Sequence, residues 1–204
     1  MAAILNNMRN TIILGLVLAV IMLVAFAHSG NAWRFNDLSY WQAVLRWMHV
    51  FFGILWIGLL YYFNFVQARK MPEIPAELKP AVSKYIAPEA LFWFRWAALM
   101  TVLAGICLAL LRGRYYAENV FTFGLMGGGY GYMLMGIGIW LAIIMFLNVW
   151  GVIWPNQKKV LGLVEADADA KAKAGRIAGM ASRINVLLSL PMLTSMAMYQ
   201  TLFG

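Results

Sequence analysis

The sequence predicts an all-α, polytopic membrane protein: a helical bundle with about five transmembrane helices. Hydrophobic residues make up 63% of the 204 residues and charged residues only 12%, which is more apolar surface than a soluble domain of this length can bury. Several uncharged runs approach or exceed the roughly 20 residues that cross a bilayer as a helix. Because backbone groups in lipid must bond within their own segment, each such run is predicted to be helical.

Five runs are predicted to span the membrane within a single domain, residues 1–204. The first follows Arg9 and is interpreted as a retained span, although Ala25-Phe26-Ala27 resembles a signal-peptidase site. The second and third contain one arginine each, Arg46 and Arg95, and the last two contain no charged residue. The predicted spans are residues 11–28, 41–66, 90–111, 130–154 and 184–203.

Two segments between these spans are irregular. "FGLMGGGYGY", residues 123–132, lacks the lysine and the preceding strand of a phosphate-binding loop. It therefore predicts a tight turn or close helix packing. "EADADAKAKAG", residues 165–175, alternates alanine with charge, which predicts either a solvated helical extension or a linker.

The distribution of lysine and arginine predicts the orientation. Arg34, Arg112 and Arg114 lie on one side, and Arg46 and Arg95 lie just inside spans. The other eleven of the 16 basic residues lie on the opposite side, which the positive-inside rule makes cytoplasmic. The amino terminus is thus predicted inside and the carboxyl terminus outside. The eleven are Arg9, Arg69, Lys70, Lys79, Lys84, Lys158, Lys159, Lys171, Lys173, Arg176 and Arg183.

The net charge of +8 is spread over inter-helix segments and forms no stripe. This favours topology and anionic lipid headgroups as its cause and excludes nucleic acid as the expected partner. The expected location is a membrane, with several spans of the chain embedded in it. Cys107 is the only cysteine, so no disulfide can form within the chain, and no CxxCH motif is present for covalent haem c.

His49 is the histidine that lies well inside a predicted span, roughly 12 Å deep at 1.5 Å per residue. Arg46, His49, Gly53 and Trp56 fall on one helix face with Leu60 and Asn64. That face should point into the bundle, where it could hold a haem or another small molecule, with His49 as a candidate iron ligand. The alternative is a buried histidine bonded to a neighbouring helix.

A second haem ligand is less well specified by the sequence. His28, at the outer end of the first span, would have to turn inward. Met126, Met133 and Met135 are alternatives, although most of the 14 methionines must simply pack. No cofactor is certain, and haem b is the candidate. Arg46 and Arg95 either extend to the interface or bind an anion, such as a haem propionate.

The end of the fourth span combines an interface belt with one deeper amide. Trp150, Trp154, Lys158 and Lys159 are typical of a cytoplasmic belt. Asn148, about two turns deeper, needs a polar partner. Asn185 and Ser189 share a face of the fifth span, where Pro191 frees the carbonyl of Leu187. An Asn148 contact with Asn185 or Ser189 is therefore predicted.

Three stretches together resemble the membrane domain of the bacterial membrane-bound urate oxidase (urate hydroxylase) family. They are "RWMHVFFGILWIGLLYYF" (46–63), "NVWGVIWPNQKKV" (148–160) and "AGMASRINVLLSLPML" (178–193); "FWFRWAALMTVLAGICL" (92–108) is a weaker match. The similarity covers about residues 41–195. The resemblance implies a membrane protein that oxidises urate and passes electrons to a fused cytochrome c domain on the outer side.

The resemblance also implies which residues form the site or the scaffold. Arg46, His49 and Trp56 are carried over from the second span, and Asn148, Trp154, Asn156, Arg183 and Asn185 from the last two, with Pro155 and Gln157 in the shared corner. Departures from the family pattern are Ala97 in place of an acidic residue and Tyr199–Gln200 in place of a histidine. The chain also adds an amino-terminal helix, and we expect no cytochrome domain.

Two functions remain open from the sequence. The acidic residues lie in loops or at helix ends, and there is no metal-ligand spacing and no activated nucleophile. The first function is an accessory, structural subunit of a larger respiratory or photosynthetic electron-transfer complex. The alternative is a membrane redox protein that binds haem or oxidises urate and passes electrons to a separate cytochrome c or quinone. Enzymatic activity stays undecided, and would be oxidoreductase chemistry if present.

Overall fold

A computed structural model describes residues 5–29 and 32–203 of the chain. Five helices of this part are long and apolar enough to cross a membrane, so the all-α, five-span prediction is confirmed. One short helix, α4, joins two of them outside the spans. The helices are α1 (Met8–Ala27), α2 (Leu38–Glu73), α3 (Lys79–Leu111), α4 (Arg114–Phe121), α5 (Gly129–Val160) and α6 (Ala168–Leu202).

The chain divides into two compact units, residues 1–45 and 46–204, with the division inside α2. In the first unit, α1 starts at Asn7, whose side chain accepts a hydrogen bond from the backbone N–H of Asn10. After Arg9 the helix contains no charged residue, as expected of a span. It leads into a two-residue antiparallel ladder of β1 (His28–Ser29) and β2 (Ala32–Trp33).

Three of the long helices contain a π-helical segment: Tyr62–Gln67 in α2, Val82–Ile86 in α3 and Val149–Ile153 in α5. Pro88 and Pro155 follow the last two by two residues. Because proline has no N–H to bond the carbonyl four residues earlier, the turn ahead of it widens and the helix continues. Trp154 accordingly donates its backbone N–H to Val149, five residues back.

Four helices extend at least six residues beyond their predicted limits at the basic end of the bundle. α2 runs to Glu73 rather than 66 and α5 to Val160 rather than 154, while α3 starts at Lys79 rather than 90. The largest difference is α6, which starts at Ala168 rather than 184. Asp167 caps it by accepting from the Ala170 N–H at 2.7 Å. Of the two interpretations of residues 165–175, the helical extension is therefore confirmed from Ala168 onward.

Within the second unit, α5 and α6 pack antiparallel through small residues. A side chain on Gly138 would collide with Ser195, and one on Gly131 would lie 2.9 Å from the Phe203 ring. A side chain on Gly136 would collide with the Val120 carbonyl of α4. Gly124, Gly127 and Gly129 have φ of +78°, +92° and +73°, so the predicted turn with close packing is confirmed.

Candidate functional site

A cavity of about 740 Å³ lies in the second unit among α2, α3, α4, α5 and α6. Its volume falls in the range of roughly 300–1,000 Å³ that is usual for small-molecule sites. The four residues of the predicted cofactor face, Arg46, His49, Gly53 and Trp56, all line it. The helical period therefore located one wall of a real cavity, while binding of a cofactor there stays a prediction.

His49 is held in place by α3. Its Nδ1 lies 2.8 Å from the backbone carbonyl oxygen of Thr101. Because a carbonyl oxygen can only accept, Nδ1 carries the proton and Nε2 carries the lone pair. Nε2 has no hydrogen-bond partner among the described residues. An imidazole oriented in this way through one nitrogen is the usual arrangement of a metal-ligating histidine, and it also satisfies the predicted bond to a neighbouring helix.

Gly105 makes room for this imidazole. A Cβ atom at Gly105 would lie 3.0 Å from both Cε1 and Nδ1 of His49, closer than a side chain normally comes. On α2, a Cβ atom at Gly53 would meet the methyl group of Thr101 at 3.7 Å, an ordinary contact. The close approach of α2 and α3 at the site thus depends on the glycine of α3.

Cationic and hydroxyl side chains lie at one end of the cavity lining. Arg112, just after α3, places its guanidinium carbon 4.7 Å from the ring centroid of Tyr116 in α4. Burial raises the pKa of Tyr116 to about 12, so its phenol stays protonated at physiological pH. Arg46 and Gln200 also line the cavity. This end can receive an anionic group.

Most of the remaining lining is aliphatic or thioether, and none of the lining residues is acidic. Apolar walls with a cationic end fit an elongated organic molecule that has an acidic group at one end. They do not fit a fully polar solute. The apolar residues that line the cavity include Val50, Ile54, Ile57, Val102, Ile106, Ile139, Met135, Met192 and Met196.

The candidate second ligands fall in different places. Met135 is buried and lines the cavity, whereas Met126 and Met133 are exposed and do not. His28 belongs to the first unit, where it is exposed and lies edge-on to Trp33 at 4.8 Å between centroids. Met192 and Met196 of α6 also line the cavity and were not among the predicted ligands.

The residues that line the cavity include one histidine that could ligate a haem iron and two arginines that could bind its propionates. His49 offers an unpartnered imidazole nitrogen, and Arg46 and Arg112 offer charges for propionates. When bound, haem would supply one-electron chemistry; the chain would supply the ligand, the apolar walls and the cationic end.

The polar residues of α5 and α6 form a separate network. Asn148 donates its Nδ2 to Asn185 Oδ1 at 2.7 Å and to the Ala181 carbonyl at 2.8 Å. Asn185, fully buried, donates in turn to the Met145 carbonyl at 3.1 Å. The predicted Asn148–Asn185 contact is confirmed. Ser189 instead bonds Tyr61 Oη of α2 at 2.9 Å.

The other residues named as structural lie at the helix surface or near the basic end. Trp150 packs edge-on against Trp96 at 5.7 Å. Asn156 donates to the Val152 carbonyl at 2.8 Å within α5 and bonds no second helix. Pro155 lies inside α5 and Pro191 inside α6, and Arg183 is exposed. The corner at 154–157 is thus helical, and none of its four residues lines the cavity.

Residues 125–203 match the family model described as urate oxidase N-terminal. Over these residues the chain is similar to the urate oxidase N-terminal family. The region holds α5, α6 and the glycine-rich turn before them, and with them two of the three stretches that carry the resemblance. No curated protein and no solved structure matches the chain.

The match to the urate oxidase N-terminal family leaves α2 and α3 outside it. Arg46, His49 and Gly105 therefore gain no support from the family model, and their roles rest on the cavity itself. Ala97, where the resemblance expects an acid, is buried in an apolar cluster with Trp56 and Phe94. A buried acid at that position would need a hydrogen-bond partner.

Proposed function

We propose that this urate-oxidase-like chain is a bacterial inner-membrane redox subunit that binds an acidic, mainly apolar cofactor beside His49, with haem b as the first candidate. The observation that carries the proposal is the orientation of His49: Nδ1 donates to the Thr101 carbonyl at 2.8 Å, and Nε2 is left without a partner in a side chain that lines the cavity. Electrons would pass to a separate cytochrome c or quinone.

An accessory, structural subunit of a larger membrane complex is the second candidate. The cavity lining supports it, because none of its residues can act as a carboxylate base. The apolar surroundings of Ala97 point the same way. In this alternative, the bundle is a scaffold for neighbouring subunits, and any molecule in the cavity is structural.

A reduced-minus-oxidised absorption spectrum of the purified protein tests the two candidates. We expect Soret and α bands of b-type haem, with urate among the reductants tried. His49→Ala should abolish the bands, and so should His49→Gln, which keeps an amide donor for the Thr101 carbonyl but no ligating nitrogen. Retention of the bands in His28→Ala would exclude His28 as a ligand and leave the cavity-lining methionines as candidates for a second ligand.

The native mass, measured on the same preparation, separates the remaining outcomes. Absence of the bands, together with purification only in the presence of partner subunits, would reject the redox proposal and support the scaffold. Absence of the bands from a protein that is stable alone would reject both. Bands that survive His49→Ala would show that the ligand assignment is wrong.

A further inference from the structure

Arg95 is a charge inside α3 that no carboxylate of residues 5–29 and 32–203 balances. Its guanidinium carbon lies 3.4 Å from the ring centroid of Trp154 in α5, and its Nε is buried without a hydrogen-bond partner among the described residues. The ion pairs among the described residues are Lys70–Glu73 and Arg114–Glu118, and neither includes Arg95. An unpaired arginine at such a position is costly unless an anion completes its surroundings.

A second cation shares the same indole. Lys158 Nζ lies 5.9 Å from the Trp154 ring centroid, and the Lys158 residue is partly buried. Two positive charges therefore flank one aromatic ring between α3 and α5. The ring can offset part of their charge through cation–π contact, but it cannot neutralise two cations.

α5 carries an unpaired hydrogen-bond donor one turn from Trp154. Trp150 is one turn before Trp154, and its ring packs against Trp96, the neighbour of Arg95. The Trp150 Nε1–H is buried and has no partner among the described residues. Two cations and an unpaired N–H at one helix junction provide what an oxyanion with several acceptor oxygens requires.

The position of the junction suggests the source of the anion. Trp154 lies six residues before the end of α5 at Val160, about 9 Å along the helix. That end carries Lys158 and Lys159 in its last turn and is the predicted cytoplasmic end. Phosphate groups of anionic lipids lie at this depth, and basic pockets between transmembrane helices on this side are suited to them.

We propose that Arg95, Lys158 and Trp154 form a phosphate-binding site between α3 and α5, occupied by the headgroup of an anionic phospholipid. The site is separate from the cavity, whose lining contains none of the three residues. It stands on its own observations and does not depend on the proposed redox function.

Native mass spectrometry of the detergent-purified protein, titrated with phosphatidylglycerol or with phosphatidylethanolamine, tests the proposal. We expect phosphatidylglycerol to bind more tightly, and Arg95→Gln and Lys158→Gln each to weaken that binding by about fivefold or more. Lys159→Gln is the matched control, because it removes one charge from the adjacent, exposed position that makes no ring contact. It should change the binding by less than twofold.

Two further measurements show whether the phosphate comes from a lipid and whether binding depends on this site or on surface charge in general. Millimolar inorganic phosphate should not displace the lipid. If phosphate does displace it, and this displacement is absent in Lys158→Gln, the site binds free phosphate and the lipid assignment is overturned. Equal losses in Lys158→Gln and Lys159→Gln would overturn the site altogether. If Arg95→Gln does not fold, the Lys158–Lys159 comparison still decides.

Discussion

At the scale of single residues, the site depends on one small residue opposite one ring. Gly105 lets the imidazole of His49 approach α3 closely enough for Nδ1 to reach the Thr101 carbonyl at 2.8 Å. The methyl group of an alanine there would have to push the ring or separate the two helices.

Gly105→Ala should therefore destabilise the protein by about 1–2 kcal/mol, because an overpacked contact shifts side chains and backbone. The matched control is Gly179→Ala in α6, where a Cβ atom would meet nothing within 4 Å. The control should be neutral or stabilising by up to about 1 kcal/mol. Thermal unfolding in detergent measures both, and a Gly105→Ala protein as stable as the control would contradict the packing argument.

Sequence periodicity predicted the α2 wall of the cavity but not the opposite walls. Arg46, His49, Gly53 and Trp56 share a face at 100° per residue, and this holds whatever the partner helix is. Gly105, Arg112 and Tyr116 become part of the site only through the pairing of α3 and α4 with that face. In the sequence, Gly105 is a glycine in an apolar helix, and Arg112 and Tyr116 are residues near a helix end. Neither pattern predicts a binding site.

At the scale of helices, α5 and α6 are joined by an amide pair in the middle of their contact. Asn148 and Asn185 each donate across the interface, to a side chain or a carbonyl of the other helix. Asn148 donates to the Asn185 side chain, and Asn185 donates to the Met145 carbonyl, so both amides find partners where water is scarce.

A double-mutant cycle on Asn148→Ala and Asn185→Ala should show a coupling of about 1 kcal/mol, the usual size for polar contacts between membrane helices. Asn156→Ala is the control, since its amide donates only to Val152 in its own helix. The control should leave stability nearly unchanged. Unfolding in mixed micelles provides the measurement, and additive effects of the two substitutions would show that the pair does not act as a unit.

Helix positions could be predicted from hydropathy, but helix ends could not. The apolar runs located all five long helices, because lipid exposure requires apolar side chains. At the basic end, however, the helices continue beyond their apolar residues. Where they end there depends on local features such as capping side chains. Asp167, with its side chain bonded to the Ala170 N–H, marks the start of α6, 16 residues before the span predicted at 184.

At the scale of the whole molecule, the arginine and lysine distribution predicts a cytoplasmic amino terminus and an external carboxyl terminus. Alkaline phosphatase fused after Phe203 should then be active, and the same enzyme fused after Leu163 should be inactive. A fluorescent protein at the amino terminus should mature in the cytoplasm. The reverse pattern of phosphatase activity would overturn the orientation and move the proposed lipid site to the outer leaflet.

The extension of α6 at the basic end sets how far this helix reaches beyond the membrane. α6 has 35 residues, or about 52 Å, against about 30 Å of hydrocarbon. If α6 is not tilted, it extends about 20 Å beyond the lipid chains and holds the 161–167 connection at that distance. Any soluble protein that binds this connection would bind beyond the lipid headgroups. The length of α6 determines its distance from the membrane.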